Sequence, residues 1–154
     1  MSSRRTLRAV VATILLGTCI VVGQLVTAPA ASAAKTCSGT ITWASSLKKE
    51  PRAQLVIYYN SSNGGTNSAC MYRAGSTYGK ALSTEVEISR CESGYDESDT
   101  FCYTDKRSGT DPGKYKYYAG PVGVTGTKHR CVVAWGTIIS GSKLIRIDSN
   151  PEGC

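Results

Sequence analysis

Apolar and polar residues alternate in short runs along most of the chain, and clusters of Gly, Ser, Asn and Pro separate these runs. In Glu85-Val86-Glu87-Ile88 the acids face one way and the aliphatic side chains the other, as on a strand with one buried face. The run from Leu55 to Tyr58 is apolar throughout, which predicts a central strand buried on both faces. No segment shows the period of an amphipathic helix.

The pattern therefore predicts an all-β fold, either a compact antiparallel β-sandwich or a small barrel. Turn sequences such as Ser61 to Gly65 and Asp111 to Gly113 separate the strands. Pro121 is expected to end regular strand pairing because it has no N–H group. The predicted strands span residues 40–44, 54–60, 69–73, 82–90, 100–104, 114–119, 130–135 and 143–148.

Residues 1–33 have the features of a cleaved signal peptide. Three arginines among the first eight residues precede an uncharged apolar stretch, and Ala31-Ser32-Ala33 offers small residues for a signal peptidase. The small-residue end and the lack of a positive stop-transfer flank argue against a membrane anchor. We expect cleavage before Ala34, which leaves residues 34–154 as one secreted domain with no membrane association.

Removal of residues 1–33 lowers the number of Lys and Arg residues from 18 to 15 against 11 acidic residues, leaving a net charge of +4. These charges are spread along the chain, so we expect no nucleic-acid partner. A modest positive charge permits weak attraction to an anionic cell wall. We expect the domain to be a monomer.

Six cysteines remain once Cys19 leaves with the signal peptide. An even number in a small exported chain predicts three disulfides and no free thiol. The spacing offers no C-x-x-C pair and the chain has a single histidine, so we expect no metal and no cofactor. Sequence alone leaves the pairing open. The six are Cys37, Cys70, Cys91, Cys102, Cys131 and Cys154.

The segment KYKYYAGPV, residues 114–122, alternates charges with aromatic rings. On one continuous strand Tyr115 and Tyr117 would share the core face, while Tyr118, Lys114 and Lys116 would share the solvated face. The simplest interpretation is a half-buried strand. The alternative is a ligand-binding surface of Tyr118, Lys114 and Lys116, because flat rings can stack on sugars.

Candidate catalytic groups are few. His129 is the only histidine and lies in a predicted turn, where a surface role is the ordinary interpretation. Glu85 and Glu87 share a strand face at a spacing that an inverting glycosidase could use, although exposed acids on a solvated strand are much commoner. The acidic residues in 96–99 do not match a calcium loop. We therefore expect no enzyme, and a carboxylate-based glycan hydrolase is the second alternative.

A protease inhibitor is the first alternative function. Lys106 and Arg107 form a basic dipeptide shortly after Cys102, where a disulfide would hold a reactive loop rigid. A rigid loop binds a protease with little loss of conformational entropy. Lys106 or Arg107 would then be the specificity residue.

Several stretches together resemble the spore-associated protein A family of actinomycetes. They are KYKYYAGPV, LVIYYNSSNGG followed by NSAC, RCVVAWG, and a chain that ends in cysteine. The resemblance covers roughly residues 55–154, and its most specific part is Tyr117 to Val122. That family consists of small exported proteins with four cysteines and no established reaction. The resemblance implies a secreted or spore-surface protein and offers no catalytic residue to transfer. We therefore expect a non-enzymatic extracellular protein that binds cell-wall or spore-surface components.

The resemblance also bears on the disulfides. Cys37, Cys70, Cys131 and Cys154 fall where the family has its cysteines, whereas Cys91 and Cys102 bracket an insert, CESGYDESDTFC, that the family pattern lacks. On that basis we expect Cys91 to pair with Cys102. Among the others we favour Cys37 with Cys154, and Cys70 with Cys131.

Overall fold

The structure is a computed structural model that describes residues 36–47 and 52–154. The predicted signal peptide and its cleavage site before Ala34 lie outside those residues. The described part of the chain contains one short 3-10 turn, Gly75–Thr77, and no α-helix. It holds no helix that is long and apolar enough to cross a membrane.

In residues 36–47 and 52–154, nine strands form two antiparallel sheets, which confirms the predicted all-β fold. The first sheet has the order β1-β2-β3-β7, and the second has the order β5-β4-β8-β9 with β6 also paired to β4. The strands are β1 (Thr40–Ala44), β2 (Ala53–Asn60), β3 (Thr66–Arg73), β4 (Leu82–Cys91), β5 (Thr104–Arg107), β6 (Gly113–Tyr115), β7 (Tyr118–Thr125), β8 (Val132–Ser140) and β9 (Lys143–Asp148).

The two sheets enclose one hydrophobic core, to which alternate residues of each strand contribute. Leu55 and Ile57 of β2 and Met71 of β3 are fully buried against Val86 and Ile88 of β4. The alternation seen in Glu85-Val86-Glu87-Ile88 therefore places its aliphatic residues inward, as predicted.

Strand β2 is buried on both faces, as its apolar sequence predicts. Val56 lies on the outer face of the first sheet and pairs with Cys70 of β3, and both are buried. A disulfide attaches Cys37 to Cys70 on that face. Tyr58 and Tyr72 flank the Val56–Cys70 pair along the strands, and their hydroxyl groups meet at 2.7 Å. The two rings and the disulfide cover what would otherwise be exposed apolar surface.

The predicted bounds of β1 and β9 match those found, and the predictions for β2, β3 and β4 are each too short. The strand predicted at residues 130–135 begins two residues before β8 and ends five residues before its end. The strand predicted at residues 100–104 is wrong, because pairing with β4 begins only at Thr104 and continues to Arg107. The residues before it belong to a loop whose base is closed by the Cys91–Cys102 disulfide and by a hydrogen bond from the Glu92 N–H to the Tyr103 carbonyl at 2.8 Å.

The structure contains three disulfides, as predicted, and one of them is the expected pair Cys91–Cys102. The favoured pairs Cys37–Cys154 and Cys70–Cys131 are wrong, because the bonds are Cys37–Cys70 and Cys131–Cys154. Strand pairing explains the difference. Glu152 pairs with Val132, which brings the end of the chain beside Cys131.

Two arginines bind one carboxylate where β5 joins the second sheet. Arg90 of β4 contacts both oxygens of Asp105 at 2.8 and 3.0 Å, and Arg130 contacts the same carboxylate at 2.8 Å. Arg90 also donates to the carbonyl oxygens of Thr125, the last residue of β7, and of Gly126, at 2.9 and 3.1 Å. Hydrogen bonding from Arg90 lowers the pKa of Asp105 to about 2.

We expect Asp105→Asn to lower the free energy of unfolding at neutral pH. The free energy of unfolding of this variant should also change less than that of wild type as the pH falls through the acidic range. The folded pKa of about 2 lies below the unfolded value, so this contribution is present above about pH 4 and is lost as the pH falls towards 2. Urea unfolding between about pH 2 and 7 measures it. Asp148→Asn is the matched control, because Asp148 and its partner Arg146 are both largely exposed. Equal acid dependence in wild type and Asp105→Asn would contradict the role of this network.

Candidate functional site

The segment KYKYYAGPV is one of three places where the described chain passes from one sheet to the other. Tyr115 ends β6 and pairs with Leu82 in the second sheet, whereas Tyr118 begins β7 and pairs with Tyr72 in the first. Lys116, with the residue after it, makes the crossing. The prediction of one continuous strand over residues 114–119 is wrong, because the alternation of charge and ring spans two short strands in different sheets.

Backbone hydrogen bonds hold the two crossing residues in place. The carbonyl of Tyr117 accepts from the Arg73 N–H at 3.0 Å, and the carbonyl of Lys116 accepts from the Gly79 N–H at 2.9 Å. Asp111 joins the segments on either side, since its carboxylate accepts from the Tyr115 hydroxyl at 2.5 Å and from the Gly120 N–H at 2.8 Å. This hydrogen bond to Asp111 raises the pKa of Tyr115 to about 12.

A buried arginine next to the crossing bonds the two sheets together. Arg73 is only 3% exposed, and its guanidinium donates to the carbonyl oxygens of Lys80 and Leu82 and to the hydroxyl of Thr84. Burial lowers its pKa. Because Arg73 lies on β3 and both Leu82 and Thr84 lie on β4, this side chain bonds the two sheets together near the crossing.

Pro121 does not end strand pairing, so that prediction is wrong. The Gly120–Pro121 peptide is cis, and the pairing of β3 with β7 is irregular between Ala69 and Met71 and resumes at Val122. β7 is the edge strand of its sheet, where a missing N–H is tolerated. Gly120 has φ +97, and a Cβ there would lie 2.6 Å from the Ala69 carbonyl oxygen, so the irregularity requires glycine.

The crossing separates the tyrosines differently from the prediction. Tyr115 packs against the core, as expected, but Tyr117 is 50% exposed and does not point inward. The ring of Tyr117 lies 5.0 Å from that of Tyr78, which is 61% exposed. The ring of Tyr118 lies 5.5 Å from that of Tyr72 on the outer face of the first sheet.

The two ring pairs, together with Tyr58, whose hydroxyl is hydrogen-bonded to that of Tyr72, are called the tyrosine cluster. Its members are Tyr58, Tyr72, Tyr78, Tyr117 and Tyr118. Burial and the hydrogen bond with Tyr58 raise the pKa of Tyr72, which keeps its hydroxyl protonated. A neutral tyrosine hydroxyl can donate and accept hydrogen bonds beside an apolar ring. The arrangement therefore offers both stacking surfaces and polar groups.

The lysines of the predicted ligand surface are exposed, but they are divided between the sheets. Lys114 lies on β6 and pairs with Ser83 in the second sheet, so it does not share a strand face with Tyr118. Lys116 lies in the crossing, next to Tyr117 of the tyrosine cluster. Lys116 is therefore adjacent in the chain to a member of the tyrosine cluster, whereas Lys114 lies on β6 in the second sheet.

The basic dipeptide of the inhibitor hypothesis lies on strand β5 and not in a loop. The Lys106 ammonium donates to the Thr125 hydroxyl at 2.6 Å, which attaches it to the first sheet. Arg107 is largely exposed, with its guanidinium 3.8 Å from the carboxylate of Glu87. A paired strand replaces the expected loop because the Arg90–Asp105 contact holds this segment along β4.

The two acids proposed for a glycan hydrolase differ in environment. Glu87 is nearly buried, and one of its oxygens accepts from the Thr110 hydroxyl at 2.9 Å, while Glu85 is partly exposed. In the acidic loop the Asp96 carboxylate accepts from the backbone and side chain of Ser98. Among the residues that the structure describes, no group of three His, Cys, Asp or Glu is placed to hold a metal ion.

Sequence reasoning missed two features. The first is the pairing of Tyr72 and Tyr78 with Tyr118 and Tyr117, which are distant in sequence. A signal was present, because the period of two along β2 and β3 could have placed Tyr58 and Tyr72 on one face. The second is a cavity of about 300 Å³ that His129 borders. His129 lies in an exposed turn, as predicted, but with a positive φ of 59°.

Comparisons with known proteins found no match to this chain among family models, curated proteins or solved structures. The resemblance to the spore-associated protein A family therefore stays a prediction. The chemistry of the site rests on its own residues.

We expect Tyr115→Ala to destabilise the protein by about 2–3 kcal/mol, somewhat below the loss for a fully buried aromatic residue. Tyr115 packs on the core and bonds to Asp111, so its truncation removes both contacts. Tyr117→Ala, at an exposed ring in the same segment, should change stability by about 0.5 kcal/mol or less. Thermal unfolding followed by circular dichroism measures both. A larger loss for Tyr117→Ala than for Tyr115→Ala would contradict the placement of the crossing.

Proposed function

We propose that this protein is a secreted, non-enzymatic protein that binds an anionic glycan of the cell wall through the tyrosine cluster. The observation that carries the proposal is the pairing of Tyr117 with Tyr78 at 5.0 Å, both at least half exposed. Clusters of exposed aromatic rings on a soluble protein mark interaction surfaces. Flat rings suit sugars, whose C–H faces stack on them while their hydroxyls reach polar groups.

The charges near the cluster favour an anionic polymer over a neutral one. Lys116 precedes Tyr117, and Lys80 follows Tyr78 after one glycine, and both lysines are exposed. Lysine is a compact point charge on a flexible stem, so it pairs with carboxylates or phosphates of varied geometry. The net charge of +4 after loss of residues 1–33 adds a weak general attraction.

The three disulfides support an extracellular location, because such bonds persist in oxidising compartments. One of them also restricts the motion of a strand that carries part of the tyrosine cluster. The Cys37–Cys70 bond ties the segment before β1 to β3, the strand that carries Tyr72. A rigid surface loses little conformational entropy when it binds a ligand.

We expect the secreted protein to cosediment with insoluble cell walls, and Tyr78→Ala with Tyr117→Ala to lose most of that binding. Each stacked ring contributes about 0.5–1.5 kcal/mol in comparable aromatic contacts, so the double variant should bind about tenfold more weakly. Lys116→Gln should weaken binding further at low salt and less at high salt, since exposed charges are screened. The measurement is the bound fraction against wall concentration.

The matched controls lie on other surfaces. Phe101→Ala with Tyr103→Ala removes a second exposed aromatic pair, with ring centroids 6.2 Å apart, in and beside the Cys91–Cys102 loop. Lys143→Gln removes an exposed lysine from β9. Wall binding that survives in the Tyr78 and Tyr117 double variant, or that is lost in the Phe101 and Tyr103 variant, would refute the assignment to the tyrosine cluster.

A further inference from the structure

A cavity of about 300 Å³ lies at the opposite end of the first sheet from Tyr72. In the pairing of β2 with β3, Gln54 faces Tyr72 at one end and Tyr59 faces Asn67 at the other. That offset of five residues corresponds to about 16 Å along the strand, which separates the cavity from the Tyr72 end of the tyrosine cluster. The lining residues are Thr42, Tyr59, Thr127, Lys128, His129, Gly153 and Cys154.

One wall of the cavity is a rigid pair of loops. The N–H groups of Thr127 and Lys128 donate to the carbonyls of Gly65 and Gly64 at 3.1 and 2.9 Å. A Cβ on Gly65 would lie 2.5 Å from the Lys128 nitrogen, so the two loops meet this closely only because residue 65 is glycine. The backbone that carries Lys128 and His129 is therefore fixed before any ligand arrives.

The geometry of two lining residues is unusual. His129 has a φ of 59°, the left-handed region, which costs energy for a residue other than glycine. Thr42 lies at an irregularity in the pairing of β1 with β2, where Ile41 pairs with Tyr58 and Trp43 with Ile57, so the ladder skips Thr42. Irregularities of this kind redirect a side chain away from the regular alternation. Strained or redirected residues concentrate at functional sites.

Buried polar side chains lie at the cavity or next to its lining residues. Asn67 is 0% exposed, and neither its amide nitrogen nor its amide oxygen has a hydrogen-bond partner among the described residues. The buried hydroxyl of Thr127 also lacks one. A Cβ on Gly153 would lie 3.2 Å from both the Asn67 amide nitrogen and the Thr42 hydroxyl, so only a glycine separates that amide from the cavity. Such unpartnered groups are costly and rare in a stable interior.

We propose that this cavity binds an anionic hexose, such as a hexuronic acid or a hexose phosphate. Its volume lies at the lower end of the range for small-molecule sites, which suits a single sugar. Lys128 and His129 pair with the acidic group, the Tyr59 ring packs on the sugar, and the Thr42 hydroxyl binds a sugar hydroxyl. The lining of this cavity shares no residue with the tyrosine cluster.

The test is a calorimetric titration of the secreted protein with glucuronate, glucose 6-phosphate, glucose and inorganic phosphate. Both anionic hexoses should bind about tenfold more tightly than glucose, the size of one additional charged contact, and also more tightly than inorganic phosphate. Glucuronate and glucose 6-phosphate together show whether carboxylate and phosphate are both accepted, and binding of either one supports the proposal.

Variants locate the binding. Lys128→Gln should weaken it about tenfold, whereas Lys143→Gln, at an exposed lysine on β9, should leave it unchanged. His129→Asn should also weaken it while the melting temperature stays at or above that of wild type, because asparagine tolerates the left-handed region better.

Three results would overturn the proposal. The first is that neither anionic hexose binds. The second is that inorganic phosphate alone binds as tightly as glucose 6-phosphate, which means that the protein recognises only the anion. The third is that binding persists in Lys128→Gln and disappears when Tyr78 and Tyr117 are changed to alanine, which would assign the sugar to the tyrosine cluster.

Discussion

The passage of the chain from one sheet to the other between Tyr115 and Tyr118 is the constraint on which the rest of the structure depends. It links the edge strand β7 to the strand β6 that lies along β4. Separation or sliding of the two sheets at this point would break the hydrogen bonds that hold the crossing. Asp111 fixes the crossing on one side by holding Tyr115 and the Gly120 backbone, and the backbone N–H of Arg73 fixes it on the other by donating to the Tyr117 carbonyl. The hydrophobic core lies between these polar contacts.

The same crossing also places exposed aromatic rings at the surface. Tyr117 lies between β6 and β7, is 50% exposed and meets Tyr78 at the surface. Tyr118, one residue later, already follows the alternation of β7 and packs on Tyr72. Structural need and ligand-binding potential therefore coincide in one segment, while the cavity beside His129 arises from a separate pair of loops at the other end of the sheet.

The sequence was sufficient for the features set by local pattern. Short strand-like runs between turn sequences located β1 and β9 with their bounds, and alternation placed Val86 and Ile88 in the core. It misplaced Tyr117, because a period of two says where side chains point only while a strand stays in one sheet. The pairs Cys37–Cys70 and Cys131–Cys154 depend on which strands become neighbours, and no local pattern contains that information. The contacts around Asn67 are likewise long-range, so the cavity could not be predicted.

The loop closed by Cys91 and Cys102 contributes no strand to either sheet. Its base is fixed by the disulfide and by the hydrogen bond from Glu92 to Tyr103, and within the loop the Tyr95 carbonyl oxygen lies 3.0 Å from the Cys131 sulfur. Changes in the length or composition of a segment attached in this way are tolerated far more readily than changes in a strand. The scaffold can therefore acquire a new surface there by insertion or exchange of a few residues, and selection can act on that surface while the sheets stay as they are.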